Sequence, residues 1–507
     1  MSAPSHTDEK IYDLLVIGGG INGTGIARDA AGRGLKVALC EKDDLAQHTS
    51  SASTKLIHGG LRYLEHYDFK LVRHALKERE ILLNSAPHII WPVRFILPHH
   101  PALRPRWLIR LGLFLYDHIG GRKTLPKSYG VNLATHPSGS ALKPEFKHAF
   151  EYSDCAVQDA RLVVLNARDA ANHGADVFTH TRCTELQRGE KYWQASLQGT
   201  SNSTIKARAV VNASGPWVDK TLRLFQDTNQ IQPIRKVKGS HIIVKKLFDH
   251  PYPYIFQNAD GRILFAIPYE QDFTLIGTTD VDYEGDLNQV QINDDEIHYI
   301  CESISEYFTV AVTPKDVIWH FSGVRPLFDD TDDVHGGNAS KVSRDYVLKL
   351  DNAGSMPVML SVYGGKITTY RKLSEQAVDL LSSSLNIRKP AWTEQASLPG
   401  GNLGEVSFET FLIQVKAQYA GLDDNLLADY ARLYGTELHA ILNERHTRED
   451  LGHYFGGGLF ECEVNFLIKQ EWAVSAEDIV WRRTKKGLKM TKNEVLALQE
   501  WLNINKP

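Results

Sequence analysis

Several features that would assign a protein to a special class are missing from this sequence. No stretch approaches the roughly 18 uninterrupted apolar residues that a membrane-spanning helix needs, and the polar start MSAPSHTDEK lacks the apolar core of a secretion signal. Cysteines are few and have no C-x-x-C spacing, so we expect reduced thiols in a cytosolic setting and neither a disulfide framework nor a metal site. These cysteines are Cys40, Cys155, Cys183, Cys301 and Cys462.

Neither sign of charge dominates the chain. The 57 Lys and Arg residues against 61 Asp and Glu residues leave a net charge of −4, which gives no basis for general nucleic-acid binding. The length of 507 residues predicts roughly two to four domains. With 42% apolar and 23% charged residues, the composition is typical of a soluble globular enzyme and excludes a disordered protein.

The first ordered part has the pattern of a βαβ dinucleotide-binding unit. Its elements are, in order, an apolar strand at 11–17, the glycines Gly18, Gly20 and Gly23, a helix at 24–31, a strand at 35–40 and the acid Glu41. The glycines serve the tight turn, the approach of the backbone to a pyrophosphate and the close packing of helix on strand. The helix N-terminus attracts phosphates, and a carboxylate in the place of Glu41 accepts ribose hydroxyls. This unit alone does not distinguish FAD from NAD.

Beyond the first unit, the predicted secondary structure is mainly strands in the middle of the chain and mainly helices near its C-terminus. Strand-like runs at 241–244 and 273–277, set among Pro- and Gly-rich turns, predict a mixed sheet separate from the first. Beyond a linker at 398–402, helix signals dominate, including the capping-box pair Thr491 and Glu494. We therefore predict an α/β fold with a Rossmann-like dinucleotide-binding domain, a mixed-sheet second domain and a C-terminal helical domain.

A hydroxyl-rich run that leads into a double glycine follows the first unit. The run is SSASTKLIHGGLRYLEHYDFKLV, and it resembles the FAD-dependent glycerol-3-phosphate dehydrogenases, the respiratory kind found in bacteria and mitochondria. Ser214 stands where many members of that family have Thr, and the polar N-terminus is longer. Further matching strings, spread over nearly all of 10–505, are VIGGGINGTGIARDAAGRG, EYSDCAVQDARLV, VNASGPWV, KGSHI, IGTTDVDYEGD, SGVRPL, SRDY, GGKITTYRKL, LPGG and WRRTKKGL.

The resemblance implies a reaction and a cofactor. It implies noncovalent FAD, oxidation of sn-glycerol 3-phosphate to dihydroxyacetone phosphate, and a membrane quinone as electron acceptor. An oxidase that passes the electrons to O₂ and forms H₂O₂ is the alternative enzyme, and a non-catalytic FAD-binding sensor is the alternative of another class. The domains that we expect are an FAD-binding domain over 8–80, 150–225 and 345–390, a substrate-binding cap domain over 81–149 and 226–344, and the helical domain over 403–507.

The cofactor site that we predict draws on several segments. A glycine turn followed by a helix start near residue 368 offers backbone N–H groups to the pyrimidine edge of a flavin. The predicted cofactor-binding residues are Gly18, Gly20, Gly23, Glu41, Thr49, Ser50, Ser51, Ser53, Leu56, Gly59, Gly60, Gly215, Gly365, Lys366 and Thr368.

The substrate site must bind a phosphate dianion and remove a proton. Guanidinium groups suit a phosphate, and the substrate-binding residues that the resemblance implies are Arg62, Tyr63, Arg325, Arg344 and Lys366. For the proton we favour His241, because the resemblance places it nearest the reacting carbon and imidazole titrates near neutrality, with His58 as its competitor. Arg325 is the third candidate catalytic residue, and we assign it to the developing alkoxide since a guanidinium hardly ever loses its proton.

Two basic segments are open to more than one interpretation. Segment 103–116 mixes Arg with Trp, Phe and Leu, which is typical either of a helix at the lipid headgroup boundary or of a buried helix with snorkelling arginines. With a quinone acceptor, we expect a cytoplasmic protein associated peripherally with the inner face of the cell membrane. The basic run at 482–485 predicts mainly a solvated face, with a phospholipid contact or an interdomain anchor as alternatives. The helical tail could also form a homodimer contact or a regulatory one.

Overall fold

The structure is a computed structural model, and it describes residues 10–100, 103–121, 124–200, 202–224, 234–258, 260–328, 345–351, 354 and 356–505. The chain divides into two compact units: unit 1 comprises Met1–Ser50, Ala160–Arg235 and Pro326–Pro507, and unit 2 comprises Ser51–Asp159 and Lys236–Arg325. Within the described residues, no helix combines the length and the apolar character that crossing a membrane requires.

The strands of the described chain are β1 (Ile11–Ile17), β2 (Val37–Cys40), β3 (Leu56–Ile57), β4 (Ile90–His99), β5 (Tyr129–Asn132), β6 (His148–Val157), β7 (Asp176–Phe178), β8 (Thr181–Arg188), β9 (Trp193–Gly199), β10 (Ser203–Asn212), β11 (Ile234–Lys245), β12 (Tyr254–Gln257), β13 (Ile263–Tyr269), β14 (Phe273–Gly277), β15 (Val281–Asp282), β16 (Val317–Phe328), β17 (Val347–Asp351), β18 (Met359–Tyr363), β19 (Tyr454–Gly456) and β20 (Leu459–Phe460).

The α-helices are α1 (Ile21–Gly32), α2 (Phe69–Ser85), α3 (Arg106–Ile119), α4 (Asp159–Asn172), α5 (Val218–Leu222), α6 (Asp294–Ser305), α7 (Tyr370–Leu380), α8 (Ser382–Leu385), α9 (Phe408–Gln418), α10 (Asp424–Tyr434), α11 (Leu438–Leu442), α12 (Glu461–Glu471) and α13 (Lys492–Ile504).

Unit 1 is built on an eight-stranded sheet whose central strands run parallel. Its main path is β17-β18-β10-β1-β2-β7, with β9 paired to β10 and β8 to β9. The predicted first strand is confirmed at Ile11–Ile17, and it is buried over most of its length because it has parallel neighbours on both sides. Helix α1 begins at Ile21, three residues earlier than predicted, because Gly20 is its N-cap. The Rossmann-like part of the predicted fold is therefore confirmed.

The C-terminal part of unit 1 is mainly helical and has a core of its own. Leu427, Tyr430 and Leu438 are among its fully buried side chains, and the predicted capping box of Thr491 and Glu494 opens α13. The predicted helical C-terminal region is confirmed, with the short hairpin of β19 and β20 added to it.

The basic run at 482–485 is not a solvated face. Arg482 and Arg483 lie in a π-helical turn, Asp478–Arg483, and the side chains of both are buried. Both bind Asp44, which follows β2. The favoured sequence interpretation was wrong because the carboxylate that neutralises the run lies 438 positions away in the sequence from Arg482.

Unit 2 is built on a ten-stranded mixed sheet. Its main path is β15-β11-β14-β13-β12-β4-β6-β3, with β16 paired to β11 and β5 to β6. Residues 51–80, which we assigned from the sequence to the FAD-binding domain, group with this unit because β3 pairs with β6 through Leu56 and Ile57. The predicted mixed sheet is confirmed, and β14 covers the predicted run at 273–277.

Helix α3 contains most of segment 103–116, and its two faces differ in burial. Leu113 and Tyr116 are buried, whereas Trp107, Leu111 and Phe114 are exposed to 69%, 47% and 50%. The buried-helix interpretation therefore holds for one face only, since these three large apolar side chains remain in contact with solvent.

Candidate active site

The turn between β1 and α1 depends on glycines. Gly18 has a φ of +113°, and a Cβ atom there would lie 2.5 Å from the carbonyl oxygen of Ala213. A Cβ at Gly23 would lie 1.9 Å from the carbonyl oxygen of Gly18. Gly20 is the N-cap and has no side chain to cover the first turn. The backbone N–H groups at the N-terminus of α1 can thus come close to an anionic ligand.

Glu41 follows β2 and is fixed by backbone donors. Its carboxylate accepts hydrogen bonds from the Gly19 N–H at 2.6 Å and from the Asp43 N–H at 2.9 Å. Burial raises the pKa of Glu41 above its usual value. Because a carboxylate has about four acceptor positions, Glu41 keeps capacity for the two hydroxyls of a ribose.

Two further segments meet the first turn of α1. The Ser50 hydroxyl accepts a hydrogen bond from the Ile21 N–H at 3.0 Å. The Asn22 side-chain amide donates to the Gly364 carbonyl at 3.1 Å, which holds the Gly364-Gly365 turn against the helix start. Both glycines have positive φ, +69° and +97°. Sequence reasoning missed Asn22, although it stands directly inside the glycine fingerprint.

The other predicted cofactor residues of unit 1 occupy neighbouring loops. Gly215 has a φ of +56° in the turn after β10, next to the Ser214 backbone that Gly18 faces. Lys366 is half-buried on the Gly365 turn, and Thr368 is buried before α7, which begins at Tyr370 and so two residues later than predicted. Thr49 and Ser50 lie in a short 3₁₀ helix, Thr49–Ser51.

The donor set of unit 1 fits a dinucleotide cofactor. It combines a tight turn that only glycine fits, a helix N-terminus and a carboxylate suited to a ribose, which are the groups that such a cofactor requires. The fit rests on Gly18, Gly23 and Glu41.

In unit 2, His241 lies in a tightly packed environment on β11. It is 2% exposed, its ring stacks on Phe321 with centroids 4.9 Å apart, and a Cβ at Gly277 would lie 2.2 Å from its Cδ2. Its Nε2 is 3.0 Å from the Thr54 hydroxyl. Burial lowers the pKa of His241 to about 3, and the positive charges of Lys55 and Arg325 contribute to this shift. The imidazole is therefore neutral near pH 7, and the near-neutral titration expected from the sequence is wrong for this ring because it is buried beside two positive charges.

Arg325 lies on β16, on the same side of β11 as His241. Its Nη2 is 3.5 Å from the position of a Cβ at Gly239, and residues 239 and 241 share one face of a strand. The guanidinium donates to Asp280 at 3.0 Å and is about half exposed. Unit 2 thus brings together a neutral imidazole and an accessible guanidinium, the pair that we predicted as proton acceptor and alkoxide partner.

A buried ion pair that lies near His241 was not predicted from the sequence. Lys55 donates to both carboxylate oxygens of Asp159, at 2.9 and 3.1 Å, and its Nζ lies 4.6 Å from the Phe321 ring centre. The Ser53 hydroxyl, which we predicted to contact the cofactor, hydrogen-bonds to Asp159 at 2.7 Å. A sequence signal existed, since Lys55 directly follows the hydroxyl side chains of residues 49–54 and Asp159 lies in the matching string EYSDCAVQDARLV.

The Gly59-Gly60 turn is fixed by the network behind it. The Gly59 N–H donates to the Tyr116 hydroxyl at 2.8 Å, and that hydroxyl binds the Asp154 carboxylate. Gly60 has a φ of +73°, and a Cβ there would lie 2.3 Å from the Tyr63 ring. The Tyr63 ring therefore covers the turn.

The remaining predicted residues are distributed as follows. Arg62 donates to the Gly261 carbonyl at 2.9 Å, His58 is half-buried beside Gly59, Leu56 is buried in β3, and Ser51 begins unit 2. Lys366 belongs to unit 1 and Arg62, Tyr63 and Arg325 to unit 2. Arg344 lies outside the described residues.

Comparison with known proteins places these features in a family. Residues 13–371 match the model of a family described as "FAD dependent oxidoreductase", and residues 391–506 match "C-terminal domain of alpha-glycerophosphate oxidase". A Pseudomonas aeruginosa protein named glycerol-3-phosphate dehydrogenase is 50% identical over 99% of this chain and 97% of its own length. A Brucella abortus protein named D-erythritol 1-phosphate dehydrogenase is 48% identical over 98% of both chains.

A solved structure supports the same assignment over the whole chain. The glycerol-3-phosphate dehydrogenase of Bacillus halodurans, solved in complex with FAD, is 27% identical, has a TM-score of 0.75, and is matched over 98% of this chain and 94% of that one. The likeness includes the helical C-terminal region as well as the two sheets.

Proposed function

This chain belongs to the FAD-dependent oxidoreductases and its cofactor is FAD, and we propose that it oxidises sn-glycerol 3-phosphate to dihydroxyacetone phosphate and passes the electrons to a membrane quinone. The observation that carries the proposal is the pairing of a neutral, buried imidazole at His241 with the Arg325 guanidinium on one face of β11. The names of relatives at 50% and 27% identity support the substrate.

The roles that we propose for the site residues follow from the charges and hydroxyl groups of their side chains. Arg62, Arg325 and Lys366 supply cations for the phosphate and for the oxygen that becomes negative as its proton leaves. Tyr63 offers a hydroxyl to the same ligand. Glu41 and the N-terminus of α1 hold the cofactor through its ribose and phosphates. Bound FAD would supply the hydride acceptor.

His241 is proposed to take the substrate hydroxyl proton. Its ring is held by Phe321, Gly277 and Thr54, so it is oriented before substrate binds. Replacing His241 with Gln is expected to slow flavin reduction about 10²-fold or more while changing the substrate Kd little, because general-base catalysis contributes about 10²–10⁴-fold to rates. Stopped-flow reduction at several substrate concentrations separates the two quantities. Reduction at the unaltered rate would reject the assignment.

The pH dependence provides an independent check on His241. Since the folded-state pKa is about 3, protonation removes the acceptor only well below neutrality. We therefore expect the wild-type reduction rate to show no decline attributable to His241 between roughly pH 5 and pH 8. A decline centred near the ordinary histidine pKa of about 6.5, present in the wild type and lost in the Gln variant, would contradict this environment for the ring.

A longer polyol phosphate is the second candidate substrate. It is favoured by the 48% identity to the protein named D-erythritol 1-phosphate dehydrogenase, only slightly below the identity to the glycerol-3-phosphate enzyme. Measuring kcat/KM for both compounds with a soluble quinone analogue decides between them. A higher value for sn-glycerol 3-phosphate supports the proposal, and a higher value for D-erythritol 1-phosphate replaces it with the second candidate.

The electron acceptor needs its own test, because part of the chain matches a domain described from an oxidase. We propose dehydrogenase activity with a quinone acceptor. Substrate oxidation in air is then expected to form little H₂O₂ and to accelerate when a quinone analogue is added. Peroxide formed in equal amount to product, with no response to the analogue, indicates the oxidase instead.

Delivery of electrons to a lipid-dissolved quinone requires contact with a bilayer, and α3 is the proposed contact. Trp107, Leu111 and Phe114 follow one helical face at spacings of four and three, and all are exposed. Helix α2 packs beside α3 and exposes Lys70 and Arg73. An apolar face with basic neighbours fits an anionic lipid surface, which on this proposal is the inner face of the cell membrane.

Replacing Trp107 and Phe114 together with Ser is expected to weaken binding to phosphatidylglycerol vesicles at least about 100-fold, because burying each large apolar side chain contributes about 1.5–3 kcal/mol. Vesicle co-sedimentation measures the change. The matched control is Ile413→Ser with Leu496→Ser, two comparably exposed apolar residues (69% and 61%) far from α3 in sequence. Equal binding by the α3 variant and the wild type excludes this helix.

A further inference from the structure

Two arginines of the C-terminal region bind the loop that follows β2. Arg483 is completely buried and forms a two-pronged pair with Asp44, through Nη1 to Oδ2 at 2.7 Å and Nη2 to Oδ1 at 2.7 Å. Arg482 donates to Asp44 at 2.5 Å and to Asp478 at 2.5 Å. Asp44 is itself fully buried, so its charge depends on these guanidinium groups for compensation.

The geometry argues against a metal ion as the partner of Asp44. Asp44, His180 and Asp478 lie close enough to share a metal ion. However, both Asp44 oxygens already accept hydrogen bonds from guanidinium groups, so two positive charges occupy the place of the ion. Within the described residues, the cluster is therefore an ion-pair cluster.

The loop that Asp44 fixes also carries the proposed ribose ligand. Glu41 is oriented by two N–H donors, one of which belongs to Asp43, the neighbour of Asp44. The Asp43 carbonyl in turn accepts a hydrogen bond from the His180 N–H at 2.8 Å. A shift of Asp44 towards solvent would move the Asp43 N–H, and Glu41 would lose one of its two fixed donors.

We propose that Arg482 and Arg483 are positioning residues for FAD, which act through Asp44 on the loop that carries Glu41. The inference rests on the cofactor site proposed above. Without Arg483, Asp44 keeps only Arg482, which it shares with Asp478. The loop then lowers its free energy by rearranging to hydrate the undercompensated carboxylate. The C-terminal region is thereby part of cofactor retention, although its residues need not touch FAD.

The test is an FAD titration of the full-length apoprotein, followed by flavin fluorescence, together with the Tm of the apoprotein. In Arg483→Met the FAD Kd is expected to rise at least about tenfold. The matched control is Arg168→Met, which removes another buried arginine that binds the C-terminal region, through Glu437 at 2.8 Å. We expect that control to lower Tm and to leave the FAD Kd within about twofold of wild type, since the described contacts of Arg168 do not include the loop at 41–48.

Removing the charges of both Asp44 and Arg483 provides the decisive comparison. In the double variant Asp44→Asn with Arg483→Met, no uncompensated carboxylate remains, so the FAD Kd is expected to return towards the wild-type value. If Arg483→Met does not fold, Asp44→Asn alone carries the test, with a rise in the FAD Kd expected because the buried Arg483 guanidinium then lacks its carboxylate partner. An unchanged FAD Kd in the folded single variants, or an equal rise in Arg168→Met, overturns the proposal. Failure of wild-type apoprotein to bind FAD would instead overturn the proposed function.

Discussion

Gly23→Ala is expected to give a protein that purifies without colour. A Cβ at this position lies 1.9 Å from the Gly18 carbonyl oxygen, far inside van der Waals contact, and the opposing atom is backbone that cannot rotate away. The turn between β1 and α1 must open to relieve the clash, which removes the N–H groups of α1 from the cofactor phosphates. We expect an FAD content below about a tenth of the wild-type value, measured by absorbance after denaturation.

The control for this prediction is Gly130→Ala on β5. The nearest atom to a Cβ at Gly130 is 4.0 Å away, so the substitution adds the same methyl group without a clash. This variant should purify with full FAD content. Full FAD content in Gly23→Ala as well would mean that the glycine turn does not approach the cofactor, and the proposed cofactor site would have to be abandoned.

Arg325→Met is expected to lower kcat/KM for sn-glycerol 3-phosphate about 10³-fold. Loss of one preorganised charge partner of a developing oxyanion costs about 10²–10³-fold in rate, and any contact of the same guanidinium with the phosphate adds to that loss. Because we assign Arg325 mainly to the alkoxide, the flavin reduction rate should fall more than the substrate affinity. Steady-state assays and stopped-flow reduction measure the two effects.

Arg182→Met, which removes an exposed guanidinium on β8, is the control and should match the wild type. Added guanidinium ion should recover part of the activity of Arg325→Met, since the vacated position is half open to solvent. A loss confined to KM, with an unaltered reduction rate, would move Arg325 from the alkoxide to the phosphate. An undiminished kcat/KM would remove it from the site.

The local part of the fold was predictable, because its signals lie within a few residues of one another. The bounds of β1 followed from an apolar run that ends at Gly18, and α13 from the Thr491–Glu494 capping box. The prediction for the basic run at 482–485 depended on a partner distant in sequence, and it failed. Arg482 and Arg483 form a basic run that is typical of a solvated face, and only the fold brings Asp44 to them.

The same distinction holds for the candidate site. The identity of His241 as a candidate came from a short string, but its neutral state depends on burial and on Lys55 and Arg325, which are far from it in sequence. The Ser53 hydroxyl, which we predicted to contact the cofactor, donates to Asp159, and this partner 106 positions away in the sequence was not predicted. Asn22 was missed because the sequence does not show that the Gly364 turn lies beside the glycine fingerprint. Only the fold shows that the Asn22 side-chain amide donates to the Gly364 carbonyl.

Anaerobic addition of sn-glycerol 3-phosphate to the purified yellow protein tests the central claim most directly. We expect the oxidised flavin absorbance to disappear within the mixing time of a manual assay and one dihydroxyacetone phosphate to form for each flavin bleached. A protein that keeps its FAD and stays yellow with both sn-glycerol 3-phosphate and D-erythritol 1-phosphate would contradict it.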